Sequence, residues 1–171
     1  MQKVVNLMYY SDRTAFLVLN RYWKSSFTDF IMPKITNLGG AVWSIFLCIV
    51  LLLNKDAGIN TVGQKLAVSL IITHLIVRLC KKFLPRLRPY MTLDNVHIGH
   101  KLYKDSSFPS GHSTAAFCSA TVLSSALPAF TFVFFTIAVL VAISRVYLGM
   151  HYPSDITVGA TIGFTVTQMI I

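Results

Sequence analysis

Three polar clusters interrupt an otherwise oily sequence, and each carries residues able to handle phosphate. The first places Lys81 ahead of Arg88-Pro89, as Lys81-x6-Arg88. The second is Pro109-Ser110-Gly111-His112, and the third is Ser144-Arg145-x5-His151-x3-Asp155. Lys81, Arg88 and Arg145 are fixed cations. Arg grips a phosphate bidentately and Lys contacts it as a point charge. Three cations converging with few acids beside them demand an anion. Ser110 and Gly111 open an apolar helical run, where exposed backbone N–H groups and the positive end of the helix dipole favour phosphate. Pro153 repeats that device at the start of the last helix.

Two histidines and one aspartate supply a reaction. Asp155 follows His151 by four residues at the entry to a helix, so its carboxylate can reach back to the imidazole. It would fix the tautomer and stabilise the imidazolium. An oriented neutral imidazole is a competent nucleophile, and His112, across the phosphate, would protonate the leaving oxygen. That division of labour predicts a phosphohistidine intermediate hydrolysed by water. The cations and helix ends stabilise the developing charge, so no metal and no cofactor are required.

The elements that must position these residues are membrane-type. The chain is 54% hydrophobic and only 12% charged, with 15 Lys+Arg against 6 Asp+Glu for a net charge of +9; an ordinary soluble domain has roughly 25% charged residues. Every acid is Asp, so a Glu pair is excluded and a carboxylate-rich metal site has little to use. The positive balance fits anionic lipid headgroups or an anionic substrate. Too little of the chain would lie in water for a nucleic-acid partner. Cys48, Cys80 and Cys118 lie in apolar stretches and read as small core residues, not a disulfide scaffold. Met1 to Tyr10 lack the apolar core and cleavage site of a signal peptide.

In chain order, residues 1–30 read as an interfacial amphipathic helix, with Phe16, Leu17, Leu19, Tyr22 and Trp23 among charges. Apolar spans follow at about 31–53, 64–84, 111–127, 130–146 and 153–171. The expected fold is an all-α membrane protein: a bundle of about five or six transmembrane helices forming one domain over 1–171. The long hydrophilic connection from Pro85 to Phe108 has the length of a functional loop. Counting crossings puts the end of the second span, the start of the third, the end of the fourth and the start of the fifth on one face. All three clusters share it. Lys82, Arg86, Lys101 and Lys104 read as snorkelling or loop charges, and His97 and His100 as loop residues. His74 reads as a packed, hydrogen-bonded residue, and Tyr90, Tyr147 and Tyr152 as interface packing.

The three motifs resemble, at every signature position, those of the type 2 phosphatidic acid phosphatase superfamily, which also includes vanadium haloperoxidases and bacterial acid phosphatases. The resemblance covers about residues 81 to 155. It implies that His151 is the nucleophile, Asp155 its partner and His112 the general acid, with Lys81, Arg88, Ser110, Gly111 and Arg145 binding the phosphoryl group. It further implies a lipid phosphate or diphosphate substrate: undecaprenyl diphosphate, phosphatidylglycerol phosphate or phosphatidic acid. A lipid phosphotransferase and a non-enzymatic anion-binding membrane protein are the alternatives. A positive-inside count would place the active face in the cytoplasm; bacterial relatives imply the extracytoplasmic face, which is preferred here.

Overall fold

A computed structural model describes residues 2–99 and 102–171, with side chains from Tyr10 onward. His100 and Lys101 lie outside the described residues. Eight α-helices follow one another, with no strand among the described residues: α1 Gln2–Leu17, α2 Ser26–Ile35, α3 Ala41–Leu52, α4 Ala57–Phe83, the short α5 Pro89–Thr92, α6 Gly111–Ala126, α7 Thr131–Tyr147 and α8 Pro153–Gln168. A π-helical turn, Val18–Tyr22, follows α1, and 3-10 turns occupy Thr36–Gly39 and Pro128–Phe130.

The expected span over 31–53 begins earlier and is broken. Ser25 and Thr28 form a reciprocal cap that starts α2. Pro33 and the extended Gly40 interrupt the run, and α3 leaves at 51° to the segment before it. Gly39 sits where a Cβ would lie 2.7 Å from the His112 carbonyl oxygen and 2.5 Å from Val141 Cγ1. Only glycine lets this bend press against the start of α6. The 3-10 turn thereby reaches the site: its Thr36 hydroxyl accepts a hydrogen bond from Arg145.

Helix α6 occupies the centre, packed on α3, α4, α7 and α8. Its closest partner is α8, where Gly159 and Gly163 face it at helical spacing. A Cβ at these positions would stand 2.5 Å from the Ser110 oxygen and 2.3 Å from the Thr114 oxygen. The two backbones therefore touch, and the Ser110 N–H donates to the Asp155 carbonyl at 3.0 Å.

The polarity pattern is inverted relative to a soluble protein. Ser69, Thr73, Ser113, Thr114, Thr121 and Ser144 are buried between helices, whereas Val42, Ile45, Ile71, Leu79, Phe132 and Val139 are exposed on the outer faces of α3, α4 and α7. By length and composition, Pro128–Tyr147 can cross a membrane, and Ser26–Gly39 with Ala41–Leu52 makes a second, bent candidate. Helices α6 and α8 have 16 residues each, about 24 Å against the about 30 Å of a bilayer core. Length and composition alone therefore do not carry five full spans. His74 is exposed on α4 and not packed, since its helix face looks outward.

The N-terminal segment is docked on the bundle. Phe16 is buried against Leu93, Val146 and Tyr152, so it belongs to the protein core rather than to an outward-facing apolar stripe. Buried Asn20 donates to the Tyr147 and His97 carbonyls and accepts from the His97 N–H. Tyr22 and Trp23 remain exposed.

Candidate active site

The ends of α4, α6, α7 and α8 meet at one end of the bundle, roofed by the loop between α4 and α6. That loop closes on itself, with the Arg86 N–H donating to Ser106 Oγ and the Ser107 N–H to the Arg86 carbonyl. Its 102–107 arm hangs into the basic cluster. Asp105 bridges two cations, accepting from Lys81 Nζ at 2.6 Å and from Arg88 Nη2 at 2.7 Å. Burial raises the Asp105 carboxyl, but the hydrogen bonds and charges of Lys81 and Arg88 outweigh it and hold the group below the usual carboxylate range.

Arg88 is buried and reaches the third cluster. Its Nη1 donates to the Met150 carbonyl at 3.0 Å and stands 3.4 Å from His151 Nε2. A guanidinium has donors and no acceptor. Nε2 must therefore present its lone pair, which leaves the ring proton on Nδ1. On that side lie Ser107 Oγ at 3.4 Å and Asp155 Oδ2 at 3.7 Å. The direct carboxylate distance exceeds a hydrogen bond, and Ser107 closes the gap by donating to Asp155 Oδ2 at 2.6 Å. Burial lowers the His151 pKa to about 4; the Asp155 carboxylate opposes this, and the charges of Arg145 and Arg88 reinforce it.

Arg145 is 3% exposed, and among the described residues no carboxylate lies within ion-pair distance of it. Its Nη1 donates to Thr36, while Nε is buried without a partner. Asp155 therefore is not its structural counter-ion. Arg145 and Arg88 lie over the same Tyr103 ring, 5.5 and 5.1 Å from its centroid. His112 meets that ring edge-on at 6.4 Å, within electrostatic reach of Arg145, His151, Arg88 and Lys81. All three clusters thus converge.

Three expectations need correcting. The Ser110 N–H is not an exposed donor, because it is taken by the Asp155 carbonyl where α6 and α8 touch. The Ser110 hydroxyl caps α6, accepting from the Ser113 N–H and hydroxyl, and retains its own proton to give. The N–H groups of Gly111 and His112 have no partner among the described residues. The start of α8 is likewise occupied, since Asp12 accepts the Ser154 N–H at 2.9 Å. Arg86 is also no loop charge: it donates to Asp155 Oδ1 at 2.7 Å and to Asp12 Oδ2 at 2.6 Å. Lys82 is exposed, as expected. His97 packs edge-on to Tyr147 and faces Asp29 at 3.1 Å.

Ser107, Asp105, Tyr103, Arg86 and Asp12 are the residues that motif reasoning passes over. Ser107 and Asp105 had a signal, lying just before Pro109-Ser110-Gly111-His112. Asp12 had none.

The described residues thus form an all-helical bundle that gathers three cations, two histidines and a carboxylate at one end. The PAP2 superfamily profile matches residues 63–171, and the chain belongs to that superfamily, as its motifs imply. The lipid A 1-phosphatase of Rhizobium johnstonii is 27% identical over 154 residues, 75% of this chain and 61% of that protein. The chain thus spans about three fifths of that relative's length. The crystal structure of Aquifex aeolicus LpxE superposes with a TM-score of 0.81 and 27% identity over 91% of this chain and 92% of that one. The transmembrane PAP2-type phosphatidylglycerolphosphate phosphatase of Bacillus subtilis has the same fold, with a TM-score of 0.80 at 24% identity over 96% of this chain and 85% of that one.

Proposed function

We propose that the chain is a membrane-embedded, metal-independent phosphatase that hydrolyses a lipid phosphate or diphosphate through a phosphohistidine on His151. The observation that carries this reading is the setting of the His151 ring: the hydroxyl and carboxylate of Ser107 and Asp155 on its Nδ1 side, a guanidinium on its Nε2 side. The Nε2 lone pair meets Arg88, one of the cations that would hold the phosphoryl group, and the incoming phosphoryl group takes that guanidinium over from Nε2.

The steps balance. Nε2 attacks phosphorus, the bond from phosphorus to the lipid oxygen breaks, and His112 gives that oxygen its proton. The phosphoryl-imidazolium keeps its Nδ1 proton toward Ser107 and Asp155. Water then attacks, His112 takes its proton, and the P–N bond breaks to release phosphate. Lys81, Arg88, Arg145 and the free N–H groups of Gly111 and His112 stabilise the equatorial oxygens, with the Ser110 hydroxyl as a further donor. The incoming phosphoryl group displaces Asp105 from Lys81 and Arg88.

A lipid substrate fits the surroundings. A cleft of about 300 Å³ beside Lys81 is lined by Arg86, Lys104 and Asp105 and by the apolar Leu87 and Met91, both exposed. A charged headgroup and a chain entering from the apolar belt are accommodated together. The bent α2–α3 pair with α4, α6, α7 and α8 makes a five-span bundle with α6 at its centre, and the N-terminal segment lies along the interface at the active, extracytoplasmic end. Undecaprenyl diphosphate, phosphatidylglycerol phosphate and phosphatidic acid are the candidate substrates.

The test is phosphate release by the protein in detergent, with chelator present. Wild type is expected to turn over and folded His151→Ala to lose at least about a thousandfold in kcat. Retained turnover in His151→Ala ends the proposal.

A further inference from the structure

We propose that Arg86, held in place by Asp12 of the N-terminal helix, is a positioning residue for Asp155 and through it for the His151 nucleophile. The inference rests on the reading of His151 and Asp155 given above.

Asp155 is fully buried, and each carboxylate oxygen is engaged differently. Oδ2 accepts from Ser107 Oγ at 2.6 Å and from the Tyr152 N–H at 2.9 Å. Oδ1 accepts from Arg86 Nη1 at 2.7 Å. The guanidinium is itself fixed from three sides. Nη1 also donates to Ser154 Oγ at 2.7 Å, Nη2 donates to Asp12 Oδ2 at 2.6 Å, and the group lies 4.0 Å over the Tyr152 ring. Ser154 in turn donates to Asp12 through its N–H at 2.9 Å and its hydroxyl at 2.6 Å. Asp12, Arg86 and Ser154 close a hydrogen-bonded ring that joins α1, the long loop and α8, and Arg86 ties it to Asp155.

The ring solves an electrostatic problem. A buried carboxylate requires a counter-charge. Were the imidazole the sole candidate, Asp155 would hold a proton on His151 and remove the lone pair needed for attack. Arg86 supplies that charge from the far oxygen, so Asp155 stays ionised while His151 stays neutral. Asp12 then neutralises the surplus on Arg86. Lys cannot reproduce the fork that spans Asp12 and Asp155. The N-terminal helix is on this reading part of the catalytic apparatus.

The test uses the full chain in detergent, with kcat and KM measured across pH for Arg86→Met, Arg86→Lys and Asp12→Asn. The groups facing His151 are Asp155 of α8, Arg88 and Ser107 of the loop, Arg145 of α7 and His112 of α6, and all are left in place. Arg86→Met is expected to lower kcat about ten- to a hundredfold, with a smaller change in KM, since Arg86 also lines the cleft beside Lys81. Loss of the positive charge makes His151 easier to protonate, so the acid limb of kcat/KM moves to higher pH. Arg86→Lys recovers part of the loss, and Asp12→Asn, which leaves the packing intact, shows a smaller fall in kcat at unchanged KM. Wild-type kcat with an unmoved acid limb in Arg86→Met overturns the proposal. A raised KM at unchanged kcat also overturns it, because Arg86 would then bind substrate directly. If Arg86→Met fails to fold, wild-type kcat in Asp12→Asn overturns it alone. His151→Ala separates the two readings. Its turnover at the wild-type rate sinks the phosphohistidine on His151, whereas an inactive His151→Ala beside a fully active Arg86→Met sinks only the clamp.

Discussion

Arg88 Nη1 stands 3.4 Å from Nε2 of His151, and that single approach sets the ring's tautomer. A donor-only group on Nε2 forces the proton to Nδ1, toward Ser107 and Asp155.

The pH dependence follows from this environment. Burial and the neighbouring guanidinium charges lower the His151 pKa to about 4, against about 6.5 in the unfolded chain. The folded state thus resists a proton that the unfolded state accepts, and His151 contributes stability above pH of about 6.5 that is lost as pH falls toward about 4. NMR titration of ring-labelled histidine is expected to keep His151 neutral at pH 5. A midpoint above 6 contradicts the environment described.

Ser107 carries the orienting contact that Asp155 is too distant to make. Ser107→Ala is expected to lower kcat about fivefold, the equivalent of one hydrogen bond of about 1 kcal/mol, with KM unchanged. Steady-state kinetics on one lipid phosphate decide it. Wild-type kcat means that Asp155 closes on His151 unaided.

Asp105 holds Lys81 and Arg88 as a phosphoryl group would. Removing its charge in Asp105→Asn frees both cations, and inorganic phosphate is expected to inhibit about three- to tenfold more tightly. The gain is kept modest because the Asp105 side chain is 53% exposed and its pairing is screened by water. Unchanged or weaker inhibition removes Asp105 from the site.

The contact between α6 and α8 has its own signature. A Cβ at Gly163 would lie 2.3 Å from the Thr114 carbonyl oxygen, so Gly163→Ala is expected to destabilise by about 1–3 kcal/mol. Thermal unfolding in detergent measures it, and an unchanged midpoint shows that the helices separate freely.

The readable part of this site was the part confined to short stretches at helix ends. Lys81, Arg88, His112, Arg145, His151 and Asp155 stand at fixed spacings beside apolar runs, and counting crossings brings them to one end without any contact being known. The helices over 111–126, 131–147 and 153–168 follow the apolar runs closely. The kink at Gly39-Gly40 shows in composition, but its direction depends on the His112 carbonyl and Val141, which no local pattern reveals. Arg86 looked like solvent-facing charge because both its carboxylate partners are about seventy residues away along the chain. The Ser110 N–H looked free for a similar reason: its acceptor is on another helix, brought close by Gly159 and Gly163.

The central claim concerns where phosphorus is carried between the two chemical steps. Enzyme turning over a radiolabelled lipid phosphate, quenched rapidly in alkali and digested, is expected to carry an acid-labile, base-stable label on the peptide containing His151, and none in His151→Ala. Turnover with the label on another residue, or with no labelled histidine at any quench time, contradicts it.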